Sequence, residues 1–114
     1  MLNFPKSKRL LKKPSFDNTL DGGKKTVTPL LVMIAKKAES PRLGLIVSKK
    51  VGKAYRRNKV KRRIREIFRL SYPDLVKTMK ADIVVIARPE SANATYRALA
   101  DSFKACVDRL ARIL

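Results

Sequence analysis

Residues Ser48 to Arg69 read SKKVGKAYRRNKVKRRIREIFR, and the rest of the chain is legible as a frame for this stretch. From Lys49 to Arg69 there are eleven Lys or Arg residues and one acid, Glu66. Such density normally marks a disordered tail. Here, however, Val60, Ile64, Ile67 and Phe68 recur at i, i+4, i+7 and i+8, the spacing of one helix face. At about 100° per residue they share one arc, while Asn58, Lys61, Arg62, Arg65 and Arg69 share the opposite arc. The pattern predicts a docked helix from about Tyr55 to Leu70 that presents a basic stripe to solvent. Gly52 supplies a turn before it, and Tyr72-Pro73 is expected to lie just beyond its end.

A basic stripe is ordinarily a solvated face. In this helix the Arg residues also repel one another at helical neighbour spacing by a few tenths of a kcal/mol per pair. A polyanion relieves that repulsion. Arg and Asn further offer directional hydrogen bonds to phosphates and base edges, which a Lys point charge does not. The reading is therefore nucleic-acid binding.

The same string resembles the signature helix of the bacterial ribonuclease P protein subunit, the RNR motif. The matching residues are Val47-Ser48-Lys49-Lys50, Gly52, Ala54, Arg57-Asn58-Lys59, Lys61-Arg62 and Arg65. Lys59 stands where the motif name has its second Arg, and Lys53 where the family often has Asn. The resemblance implies a ribonucleoprotein endonuclease that removes the 5′ leader from precursor tRNA. Its RNA subunit carries the chemistry with Mg²⁺, and the protein binds that RNA and the leader and raises substrate affinity. It implies RNA-binding roles for Lys49, Lys50, Arg57, Asn58, Lys59, Lys61, Arg62, Arg65 and Arg69. It also implies a leader cleft at Phe16, with Leu20, Val32 and Ile34 depending on strand register. The partners implied are ribonuclease P RNA and the precursor tRNA leader, with no membrane and no small-molecule substrate. No catalytic residue, no metal site and no tightly held cofactor are expected in the chain itself.

Composition sets bounds independently. The 114 residues suit a single RNA-binding domain spanning 1–114, with residues 1–9 loose. Twenty-eight basic against nine acidic residues give a net charge of +19, which calls for a polyanionic partner and salt-sensitive binding. A hydrophobic fraction of 45% argues for a folded core. There is no histidine to activate the single cysteine, and Cys106 falls on an apolar helix stripe, so it reads as a buried thiol. Asp82 and Asp101 read as scattered surface acids rather than as a catalytic pair. No apolar run reaches the ~18 residues of a membrane span, and the default expectation is the cytoplasm.

Along the chain, a short helix is expected from Leu10 to Leu20, with Pro14 in its first turn and Gly22-Gly23 ending it. Thr26–Ala35 reads as one strand, with Pro29 marking an edge or a break. Leu43–Ser48 reads as a second strand able to pair with it as a hairpin. Asp74–Lys80 reads as a polar connection and Asp82–Ala87 as a third strand. Tyr96, Leu99, Phe103, Cys106, Leu110 and Ile113 give the stripe of a final helix over Thr95–Leu114, capped by Thr95 or Asn93. The fold class is a small α+β domain, a mixed sheet covered by helices in the order α-β-β-α-β-α. A fourth strand and a left-handed strand–helix–strand crossover enter only as implications of the resemblance. Two other readings stay open on the residues alone: a structural RNA-binding protein such as a ribosomal protein, and a nuclease active without RNA, which the lack of His and of paired acids disfavours.

Overall fold

The computed structural model describes residues 13–114, with side chains from Asp17 onward. Helix α1 (Lys13–Gly22) leads into strands β1 (Lys24–Val27), β2 (Leu31–Lys37) and β3 (Arg42–Ile46). Helix α2 (Ala54–Thr78), strand β4 (Ala81–Ala87) and helix α3 (Tyr96–Ala111) complete the order. The expectations for residues 1–12 lie outside the described residues. The four strands form one sheet in the order β1-β2-β4-β3. The β1/β2 and β2/β4 pairs are antiparallel, and β3/β4 is parallel with α2 as the crossover. This is the expected α+β class of mixed sheet and helices, with one strand more than the residue patterns reveal.

Three local expectations are corrected. Thr26–Ala35 is two strands joined by a turn at Thr28–Leu30. The Thr28 amide donates to the Leu31 carbonyl at 2.8 Å, and the Leu31 amide donates to Thr28 Oγ1 at 3.0 Å. Pro29 sits in that turn, where its missing N–H costs no ladder bond. β1 is an edge strand whose residues are almost all exposed, so no apolar alternation announces it.

The expected hairpin between β2 and β3 does not form, because β4 lies between them. Ile83, Val84 and Val85 are all fully buried, which means β4 is covered on both faces. A strand of that kind belongs in the middle of a sheet with a neighbour on each edge.

The basic helix does not stop before Pro73; it runs through it to Thr78. Proline removes one hydrogen bond to the preceding turn and would normally end the helix. The turn beyond it delivers Leu75 to the core and places Met79, also buried, at the C-cap. Phe68 and Tyr72 pack edge-on with ring centroids 5.8 Å apart just before the proline. Burial of this turn outweighs the local preference, and the expected polar connection at 74–80 is mostly helix.

Strand register divides the sheet into two faces. Leu31, Met33, Ala35, Leu43, Ile83 and Val85 face one core with Ile64 and Phe68 of α2 and Leu99, Phe103, Cys106 and Leu110 of α3. Thr95 caps α3, accepting from the Ala98 amide at 3.1 Å. Tyr96 and Ile113, the ends of the stripe, stay partly or largely exposed, since Ile113 lies past the helix end.

The other face carries Lys25, Val27, Val32, Ile34, Val84, Ile86 and Ile46. Here α1 covers only part of the sheet. Gly23 lets its end approach: a Cβ there would stand 2.5 Å from the Thr19 carbonyl and 2.7 Å from Ile34 Cγ2. Ile34 and Val84 are buried, whereas Val27, Val32, Ile46 and Ile86 remain partly exposed.

Candidate nucleic-acid interface

The expected anchor residues of α2 hold it in place: Val60, Ile64, Ile67 and Phe68 are buried. Their burial fixes the phase of the helix, and with it the direction of every basic residue. Asn58, Lys59, Arg62 and Arg65 are exposed, and Lys61 is partly so. None of these five makes an ion pair among the described residues.

The margins of the stripe behave differently. Arg69 is clasped by Glu66, with Nε donating to Oε2 at 3.2 Å and a second bond from Nη2. That pairing holds the Glu66 carboxyl below its ordinary range through its hydrogen bond with Arg69. Arg63, also on α2, turns away from the stripe and donates to the Ala94 carbonyl at 2.9 Å, tying α2 to the start of α3. Arg57 is half-buried, and its Nε is enclosed without a hydrogen-bond partner among the described residues. A guanidinium donor left in that state is a costly group.

Lys49 and Lys50 are exposed on a 3-10 turn, Lys49–Val51, that leads into α2. Ser48 Oγ accepts from the Lys50 amide at 3.3 Å, and buried Val51 pins the turn from below. Gly52 closes it at φ 139°, a conformation side-chain-bearing residues rarely adopt. A Cβ at that position would also meet Arg56 Cδ at 3.1 Å.

Tyr55 stands in the first turn of α2. The structure exposes 65% of it, with Arg56 Nε donating to its hydroxyl at 3.3 Å. Tyr55, Arg56 and the exposed Lys53 therefore widen the basic surface beyond the stripe itself. Their signal was only their nearness to the first turn of α2.

The four leader-cleft residues separate. The side chain of Phe16 lies outside the described residues. Leu20 and Val32 are partly exposed, but Ile34 is only 7% exposed beneath the end of α1. It has little surface to offer a ligand.

A family model described as Ribonuclease P matches residues 4–111. This chain belongs to the ribonuclease P protein family. It is 38% identical to the ribonuclease P protein component of Clostridioides difficile (strain 630), over 95% of this chain and 96% of that protein. Its fold superposes on a Staphylococcus aureus RNase P protein mutant with defective mRNA degradation activity at a TM-score of 0.82. That pair shares 30% identity, with 91% of this chain and 88% of the other covered. The RNase P protein of Thermotoga maritima gives a TM-score of 0.75 at 32% identity, covering 93% of this chain and 97% of that one. The family is that of the protein component of ribonuclease P, the tRNA-processing enzyme, and such a component partners the enzyme's RNA. Among the described residues no cluster of three or more His, Cys, Asp or Glu could hold a metal ion. No helix among them is long and apolar enough to cross a membrane.

Proposed function

We propose that this chain binds the RNA subunit of ribonuclease P through the exposed arc of α2, and lays the single-stranded 5′ leader of precursor tRNA on the uncovered part of the sheet. The observation that carries the reading is the unpaired row of Asn58, Arg62 and Arg65 on a helix whose orientation is fixed by burial. Arginine forks engage phosphate oxygens in pairs, and such contacts set register and affinity. Lys49, Lys50, Lys59 and Lys61 add charge around the row, and the half-buried Arg57 adds one more at its edge. Arg69 contributes less, because Glu66 already holds it.

For the leader, the partly exposed Val27, Val32, Ile46 and Ile86 form an apolar floor beside Leu20, and Ile34 is dropped from it. The floor is aliphatic, so bases would rest on it by apolar contact; Phe16 is the one aromatic assigned to stacking. Cleavage itself is assigned to the RNA subunit with bound Mg²⁺. The chain has no histidine, so it offers no imidazole for acid–base work. The compartment follows as cytoplasmic, where tRNA matures.

Purified protein alone is expected to leave precursor tRNA intact. Adding a bacterial ribonuclease P RNA and Mg²⁺ should restore cleavage at the 5′ maturation site. Correctly placed cleavage by RNA-free protein would overturn the reading.

A further inference from the structure

Away from the basic arc, the C-terminal half of α2 and the length of α3 enclose an open groove of about 530 Å³. Ile67, Leu75, Phe103 and Val107 contribute its apolar lining, and Leu70 and Tyr96 stand at its rim. Leu70 is 58% exposed and Tyr96 37%, both large apolar side chains left in water. Asp74, Asp101 and Asp108 also line the groove, with Lys104 as the one basic residue. The chain has nine acids in all, and three of them gather here. Three of the others are held by arginines, as Arg42–Asp82, Arg69–Glu66 and Arg88–Glu90. No ion pair engages Asp74, Asp101 or Asp108 among the described residues.

We infer that this groove docks an amphipathic helical segment of a partner protein, with apolar side chains inserted between α2 and α3 and Lys or Arg residues set against Asp74, Asp101 and Asp108. The charge argument selects the occupant. Three carboxylates against one lysine disfavour RNA in this groove, even on a chain of net charge +19. The geometry selects the shape. The lining of α2 runs from Ile67 to Thr78, about 16 Å at ~1.5 Å per residue, or about three turns of a docked helix. Ile67, Leu70, Asp74 and Thr78 lie on the side of α2 opposite Asn58, Arg62 and Arg65 at about 100° per residue. The groove can therefore fill while the arc is occupied. This inference stands apart from the assignment of RNA to that arc.

The test uses the full chain with isotope-labelled amides and two synthetic helices of about eleven residues, one of Leu and Lys and one of Leu and Glu. The Leu/Lys helix is expected to shift the amides of Leu70, Asp74, Tyr96, Lys104 and Val107 and to leave those of Arg62 and Arg65 unmoved. The Leu/Glu helix should avoid the groove. The variant carrying Asp101→Lys and Asp108→Lys should bind the Leu/Lys helix at least ten-fold more weakly, and Leu70→Gln should weaken it several-fold. Both variants alter exposed positions, and an unchanged circular-dichroism melt confirms that they fold. Undiminished binding by the charge-reversed variant, or shifts scattered over the surface, would overturn the inference. So would groove amides that move with protein concentration alone, which would make a second copy the occupant. Groove amides that move on adding ribonuclease P RNA would overturn it as well.

Discussion

The arc of α2 that carries Val60, Ile64, Ile67 and Phe68 and the arc that carries Asn58, Arg62 and Arg65 belong to the same twenty-five-residue helix, yet they face opposite physical demands. The first is closed against the sheet and α3, and what it contributes is the phase of the helix. The second holds like charges at neighbouring positions with no acid partner, which costs stability when no polyanion is present. Beside it, Arg69 is paired with the Glu66 carboxylate, and Arg63 is turned away to bond the Ala94 carbonyl. The centre is left open. The difference teaches that the basic surface is an orientation maintained by burial, and that net charge alone would not supply it. Changes on the two arcs should therefore separate cleanly into losses of stability and losses of RNA affinity.

The largest effect is expected at the anchor. Ile64 is fully buried between the sheet and α3, so Ile64→Ala should destabilise the fold by about 2–5 kcal/mol, read from denaturant unfolding. Where the variant still folds, its RNA affinity should stay near that of the parent. A variant that kept its stability but lost RNA binding would break the distinction between the arcs.

Cys106 sharpens the comparison from the α3 side of the same core. Burial pushes its thiol up to about 11. Its folded pKa lies above its unfolded value, so the stability it supports is fully present below about pH 8.5. That contribution fades as pH rises toward 11, by about 3 kcal/mol. The stability gap between the parent and Cys106→Ala should narrow over that window, measured by denaturant midpoints at successive pH values. In the native state at neutral pH the thiol should resist alkylation. Prompt labelling at neutral pH would show a core looser than the one described.

On the exposed arc the expectation reverses. Arg62→Ala with Arg65→Ala should change stability by only about 0.5 kcal/mol, as surface substitutions usually do. Affinity for ribonuclease P RNA should fall on the order of ten-fold at moderate salt. The salt dependence should flatten by about one unit for each phosphate no longer neutralised by an arginine. Normal binding by this variant would make the arc a solvated face.

What could be read from the sequence divides along the line between local and non-local information. The phase of α2, the buried stripe of α3 and the run Ile83–Val85 are local patterns, and each appears in the structure where the residues put it. The insertion of β4 between β2 and β3 is a pairing across some forty residues, and nothing within β2 or β3 encodes it. β1 escaped because an exposed edge strand has no apolar period to detect. Pro73 misled because the burial that carries the helix past it comes from Leu75 and Met79 against distant elements. The basic stripe was legible for the same reason as α2 itself. The acid-lined groove was not, since Asp74 and Asp101 are neighbours only once α2 and α3 have docked.

The smallest effect is expected on the uncovered sheet face. Val32 is partly exposed there, on the same face as buried Ile34 and two residues from it along the strand. If the leader rests on this floor, Val32→Ala removes apolar contact but no stacking surface. Aromatic stacking is worth about 1–3 kcal/mol per base, and an aliphatic neighbour should fall below that range. The reconstituted enzyme should then bind precursor tRNA a few-fold more weakly, with mature tRNA unaffected because it has no leader to place. Phe16→Ala should cost more than Val32→Ala in the same assay, provided a melt shows the variant folded. Ile34→Ala is the control that separates floor from core. Its side chain is sealed beneath α1, so it should lower stability and leave the precursor-to-mature ratio unchanged. Equal losses for precursor and mature tRNA in the Val32 and Phe16 variants would remove the leader from this face while leaving the assignment of α2 intact.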